Sequence, residues 1–302
     1  MALNAFLTDP QYDRLRGIVL MLIATLSFSG MHGTIKHVGG DMHPFEIAFF
    51  RNFFGLLALF PFFIRHGLKP LRTNRIGMHF ARVMLNIGSM FAFFYAISIT
   101  PLAEVIALSF AAPIFATVLA IFFFREIIGP ARWIAIMIGF AGTVVILRPG
   151  YDEISLGSVL TLLASLIWGG AVMIIKSLSR TDSSVTITAY MVLLLTPLSL
   201  IPALFVWTSP SMDQLIWLAL IGGMGTLGHL AMNQAIKLAP TNVVMPIDFV
   251  RLIWVAILGY FIFGELPDIF VWLGGAMIFA SGLWIAHAEN RIRRNVTAET
   301  GS

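Results

Sequence analysis

Apolar residues run through this chain in stretches of about twenty, each ended by a short polar segment rich in Pro, Gly and Asp. A helix rises about 1.5 Å per residue, so about 20 apolar residues cross a hydrocarbon layer about 30 Å thick. Ten such stretches occur, near residues 16–36, 44–64, 77–98, 102–124, 131–148, 156–177, 184–207, 213–236, 241–263 and 268–288. The connections, such as GGDMHP, RPGYD, TSPSMD and ELPD, are turn sequences too short for a soluble domain. The pattern predicts an all-α membrane protein of ten transmembrane helices.

The ten spans divide into two copies of five. Residues 89–133 match 228–272 at a constant shift of 139, with Ala92, Pro101, Val105, Phe110, Glu126 and Trp133 among the positions that meet an identical residue. The last two partners are Glu265 and Trp272. GIVLMLIATLSFSGMHGTIK (17–36) lies over GSVLTLLASLIWGGAVMIIK (157–176) at a shift of 140, closing on Lys36 and Lys176. We therefore expect a first repeat at 1–150, a second at 151–290 and a tail at 291–302. Five is an odd number, so the second copy enters the bilayer inverted. Glu126 is expected at the inner end of span 4 and Glu265 at the outer end of span 9. Two inverted halves supply two conformations of similar energy, one open to each side, which is the sequence mark of a transporter working by alternating access.

Composition agrees with a lipid solvent: 58% of residues are hydrophobic and 11% charged, with a mean hydropathy of +0.90. The net charge of +4 raises nucleic acid as a partner, but the distribution of basic residues has another explanation. Fifteen Lys and Arg fall on segments sharing a side with the N-terminus, against Lys36 and Arg148 on the other. That bias predicts cytoplasmic termini, with Arg51 and Arg251 left inside the membrane. No nucleic-acid partner is expected. The opening MALNAFLTDPQYDRLR has no basic stretch followed by a short apolar core and does not read as a cleavable signal. With no cysteine in the chain, disulfides, thiolate catalysis and Cys-based metal sites are excluded.

Two segments carry a family resemblance: AEVIALSFAAPIFATVLAIFFFRE (103–126) and TNVVMPIDFVRLIWVAILGYFIFGE (241–265), supported by FFRNFF around Arg51. They resemble the ends of the two halves in EamA-type members of the drug/metabolite transporter superfamily, and the likeness covers essentially the whole chain. It implies a multi-pass protein of a bacterial inner membrane whose spans 3, 4, 8 and 9 line a central cavity. The implied substrates are small metabolites: amino acids, vitamins such as a flavin, or nucleotide-like cofactors. Two departures from the family pattern stand out. Arg125 replaces the usual Gly before the first Glu, and span 9 carries Asp248 and Arg251 where apolar residues are common.

An ionisable side chain in hydrocarbon costs several kcal/mol unless paired or wet, so each one needs a reason. Asp248 and Arg251 are three apart and share a helix face. Two readings stand for them: a self-neutralising ion pair that joins helices, or a substrate contact in which Arg251 meets an anionic group and Asp248 accepts a proton. Pro113 in span 4 and Pro246 in span 9 interrupt corresponding helices, though not at equivalent positions. His229 and Asn233 in span 8, and Arg82, Asn86 and Ser89 in span 3, form polar stripes expected to face the bundle. Arg82 is read as reaching toward the inner surface. Arg51 faces Met191 in the repeat and is expected to pair with Glu104 or Glu46 as a gate, substrate contact being the second reading. Phe110 and Phe249, equivalent in the repeat, are expected cavity walls, and Tyr95 an aromatic contact.

The candidate substrate residues are thus Asp248, Arg251, His229, Asn233, Phe249, Phe110, Asn86, Arg51 and Tyr95. Asp248, His229 and Glu104 are candidates for proton coupling. No phosphate-binding loop occurs, so ATP is not the expected energy source. No catalytic motif such as HExxH or GxSxG occurs, and no metal or cofactor is expected. Besides a secondary transporter, a membrane receptor or scaffold remains open, as does an integral-membrane enzyme. A scaffold would need no inward-facing polar stripes; an enzyme would need clustered intramembrane carboxylates.

Overall fold

Hydrocarbon offers no partner for a backbone N–H or C=O, so apolar runs of this length satisfy themselves as helices. The computed structural model describes residues 10–67, 71–124, 129–150, 153–239 and 241–299, and twelve helical segments build the ten spans. They are α1 (Pro10–Val38), α2 (Pro44–His66), α3 (Ile76–Ile99), α4 (Leu102–Ser109), α5 (Ala112–Phe124) and α6 (Pro130–Leu147) in the first half. The second half holds α7 (Leu156–Leu178), α8 (Ser184–Leu204), α9 (Met212–Leu238), α10 (Thr241–Asp248), α11 (Val250–Phe263) and α12 (Ile269–Glu299). Eight spans are long and apolar enough to cross a membrane, and α11 and the Ile269–Ile285 part of α12 are shorter apolar helices. Pro44 and Pro130 start α2 and α6, where a missing N–H costs nothing. Ser155, Ser183 and Ser211 cap α7, α8 and α9 through their hydroxyls.

Span 4 is split into α4 and α5 at Phe110, and span 9 into α10 and α11 at Phe249. These break points are equivalent in the repeat, although the prolines are not. Pro113 lies three residues after its break and Pro246 three before. Pro113 stands in the first turn of α5, where a missing N–H costs nothing, whereas Pro246 stands inside α10 and removes one bond of its ladder. The side chain of Pro246 and the residues around Arg125 and Glu126 lie outside the described set.

The packing obeys the inverted two-fold. α1 packs most closely on α9, and its repeat counterpart is α7 on α3. The α2–α8 and α6–α12 pairs each join a span to its own copy. Close approaches are mirrored as well. A Cβ added to Gly17 would lie 2.6 Å from the Ala239 Cβ, and one added to its mate Gly157 would strike the Thr100 side chain. Lys36 and Lys176 stand at opposite ends of the bundle: Lys36 bonds the Thr100 carbonyl between α3 and α4, whereas the residue after Lys176, Ser177, bonds Arg75 before α3. Large exposed apolar side chains such as Phe60, Phe122, Met137 and Phe261 cover the outside, as a lipid-facing surface requires.

A central cavity closed at one end

Between the halves lies a cavity of about 880 Å³. Its lining reaches the exposed Lys176 and Arg180 at one end of the bundle and stops short of Lys36 and Glu265 at the other. Lys36 Nζ lies 2.7 Å from Glu265 Oε1 and donates to the Thr100 carbonyl at 2.7 Å. Glu265 Oε2 accepts from the Leu102 N–H at 2.9 Å, satisfying one orphan donor at the start of α4. Arg148 and Asp268, 3.0 Å apart, tie α6 to the start of α12 at the same end. One end is thus latched by ion pairs while the opposite, basic end is open.

Most of the residues predicted for the site meet here. Asp248, Arg251, His229, Asn233, Asn86, Arg51 and Phe110 all line the cavity. Arg251 Nη2 lies 3.2 Å from Asp248 Oδ2 across the break in span 9, and its guanidinium covers the Phe110 ring at 5.1 Å. Phe110 meets Phe249 at 5.3 Å, so the two break points touch on the pseudo-two-fold axis. Phe249 in turn stacks on Phe279 at 4.2 Å. Asn233 donates to Thr188 Oγ1, and Ser89 to the Ala164 carbonyl, so these two stripe residues also join helices.

Other expectations need correction. Tyr95 is 37% exposed on the outer surface of α3 and does not line the cavity. Glu104 lies outside it too, in a small pocket beside Glu265 at the latched end, where it accepts from Ser158 Oγ. Neither expected partner holds Arg51. Glu46 accepts from the N–H and hydroxyl of Thr208, 162 residues away in sequence, which satisfies its buried carboxylate without a cation. Arg82 does not extend to the surface: it is 1% exposed and donates to the Ile187 carbonyl and Met191 Sδ.

The structure adds residues the sequence reading passed over. His32 of α1 and Trp168 of α7 line the cavity beside His229. Phe28 stacks on His32 at 6.4 Å and meets His229 edge-on at 5.1 Å. Phe93 meets His32 at 5.3 Å, and Trp168 lies 6.3 Å from His229. The Nδ1 atoms of His32 and His229 are buried with no hydrogen-bond partner among the described residues. An unmatched buried polar atom costs about 1–3 kcal/mol, so this aromatic wall is short of hydrogen bonds. His32 gave one signal in the sequence, a histidine within an apolar span, but nothing in its own stretch showed which neighbours it would have.

Charged, amide, imidazole and aromatic side chains from both halves thus converge on one cavity. The sequence matches the model of the EamA-like transporter family over residues 15–148 and again over 155–286. It is similar to a riboflavin transporter of Vibrio cholerae, 32% identical over 94% of this chain and 97% of that one. An S-adenosylmethionine uptake transporter of Rickettsia bellii is 30% identical over 91% of this chain and 94% of its own. A riboflavin transporter of Rhizobium johnstonii is 33% identical over 92% and 93%. A solved crystal structure superposes with a TM-score of 0.62 at 17% identity, covering 91% of this chain and 98% of that one, which supports the fold. Duplicated through the whole chain and folded as two inverted five-helix halves, this membrane protein belongs to the EamA-like transporter family and is a transporter rather than an enzyme.

Proposed function

We propose that this protein is a secondary transporter that carries a small metabolite bearing a flat nitrogen heterocycle, by alternating access. The observation that carries the reading is the cavity: latched by Lys36 and Glu265 at one end, open at the other, and walled by Phe28, Phe93, Trp168 and two imidazoles. Aromatic faces stack on a planar ring, and the His nitrogens offer hydrogen bonds to its edge. The relatives named for riboflavin and for S-adenosylmethionine both concern molecules with such a ring, which makes these two the first candidates. The charge bias supports an orientation with the open, basic end and both termini in the cytoplasm, and the bacterial relatives support an inner membrane. Of the coupling candidates, Asp248 and His229 stand in the path, whereas Glu104 does not. Asp248 is the proposed proton acceptor, since its exchange of protons would loosen the Arg251 pair.

The test is uptake of radiolabelled riboflavin and S-adenosylmethionine into proteoliposomes, with and without a proton gradient. Saturable uptake of one of them, at least tenfold above protein-free vesicles, is expected, with Asp248→Asn removing the response to the gradient. No uptake of either, nor of other heterocyclic metabolites in competition, overturns the substrate class. Uptake that persists when Lys36 and Glu265 are cross-linked overturns alternating access.

A further inference from the structure

Arg51 is the membrane-embedded cation of the cavity wall whose charge the protein leaves unanswered. It is 4% exposed and lines the cavity. Among the described residues no carboxylate lies within ion-pair distance of it; its one hydrogen bond there runs from Nη1 to Asn52 Oδ1 at 2.7 Å. Of the other membrane-embedded cations, Arg251 has Asp248 and Lys36 has Glu265. Arg82 has no carboxylate partner among the described residues either, but it lies outside the cavity and donates to the Ile187 carbonyl and Met191 Sδ. The two acids expected to pair with Arg51 are committed elsewhere, Glu46 to Thr208 and Glu104 to Ser158. A desolvated charge without a counter-ion is costly, and evolution tolerates it where a ligand supplies the missing charge.

The surroundings hold the guanidinium in place. Asn52 donates through Nδ2 to the Ala48 carbonyl at 2.9 Å and to Ser199 Oγ at 3.3 Å. Those two bonds fix the amide so that its oxygen, and not its nitrogen, faces Arg51. On the far side, Gly225 of α9 clears the space: a Cβ there would lie 3.1 Å from Arg51 Nε and 3.3 Å from Nη2. His229 follows Gly225 one turn along α9, on the same helix face.

We propose that Arg51 is the anion-recognition centre of the cavity, so that the transported molecule carries a carboxylate or phosphate, held on Arg51, with its ring among Phe28, His32, His229 and Trp168. This rests on the transport reading above and narrows it to heterocycles with such a group, which S-adenosylmethionine carries and riboflavin lacks. Two unequal subsites follow: a neutral Asp248–Arg251 pair at the axis, and a net positive one at Arg51. The second repeat has Met191 in the equivalent position, so the anion has one docking point and binds in one orientation.

Matched pairs test this on the purified full-length protein, by quenching of tryptophan fluorescence on binding: riboflavin against riboflavin 5′-phosphate, and indole against indole-3-acetate. In wild type the anionic member of at least one pair is expected to bind about 10- to 100-fold tighter, and 0.5 M salt to reduce that preference by less than threefold. Arg51→Gln abolishes the preference while leaving the affinity for the neutral member within about threefold; Arg51→Lys retains part of it. Arg14→Gln, on the exposed start of α1 outside the cavity, leaves it intact. Equal affinities within both pairs, or a preference that survives Arg51→Gln, overturn the inference while leaving the transporter reading standing. Absence of binding by all four compounds overturns the anion centre, whereas heterocycle uptake in the vesicle experiment would still uphold the transport reading.

Discussion

At the scale of single residues, the structure separates what spacing can show from what only the fold shows. The Asp248–Arg251 pair was legible because three residues of separation keep both partners in reach, even across the break at Phe249. The environment of Arg51 was not. Span position suggested Glu46, one turn away, or Glu104 at the same end of span 4, and both carboxylates are taken by hydroxyl and N–H donors from the other half of the chain. The same holds for His79 and Asp182, 103 residues apart in sequence and 2.7 Å apart in space, which no pattern within either span announces. Asn52 offers the most direct test at this scale. Replacing it by Ala removes the acceptor from a buried guanidinium and two further hydrogen bonds. Hydrogen bonds to charged groups are worth about 1.5–3 kcal/mol, so Asn52→Ala is expected to lower stability by about 2 kcal/mol. Thermal unfolding in detergent checks this, and a melting temperature within 1 °C of wild type, as an order-of-magnitude threshold, would count against the role given to Asn52.

Elements were the most readable level. Apolar length and turn residues anticipated the start of every span but the first to within one residue, because hydrocarbon leaves helix as the only economical backbone. The breaks were half-legible. Proline marked the right two spans, but the equivalence of Phe110 and Phe249 had to come from the repeat, and their 5.3 Å contact from the structure. Close helix approach is set by small residues whose partners lie in the other repeat, as with Gly157 against Thr100. Overpacking a tight contact costs about 1–3 kcal/mol. Gly157→Ala is therefore expected to destabilise by that amount, and Thr100→Ala in the same chain to restore part of it, because it removes the hydroxyl the new methyl meets. A double-mutant cycle on thermal stability measures the coupling; strict additivity would show that the two side chains do not compete for space.

For the whole molecule, the repeat predicted inversion and the mirrored packing displays it, from α1 on α9 and α7 on α3 to the opposite positions of Lys36 and Lys176. Which end is closed could not be read from a symmetric pattern, since symmetry treats both ends alike. The latch is now a place to push. Glu265→Gln removes the ion pair to Lys36 but keeps a hydrogen-bond acceptor for the Leu102 N–H. A tenfold shift between two states corresponds to about 1.4 kcal/mol, well within reach of a half-buried pair. We expect a cysteine placed at buried Ala103, beside the latch, to react about tenfold faster with an impermeant thiol reagent in that variant. The chain has no cysteine of its own to confuse the signal. An unchanged rate would mean that the pair does not hold this end shut.

Position 51 carries arginine and its mate in the other half carries methionine. In the proposed cycle, rocking the halves past each other mirrors the scaffold but leaves the grip on the same side of the axis. The outward and inward poses are therefore unequal in energy, empty or loaded, and differ in how readily they release cargo. Exchanging the two residues, methionine at 51 and arginine at 191, would turn that inequality around and with it the side on which the carrier waits.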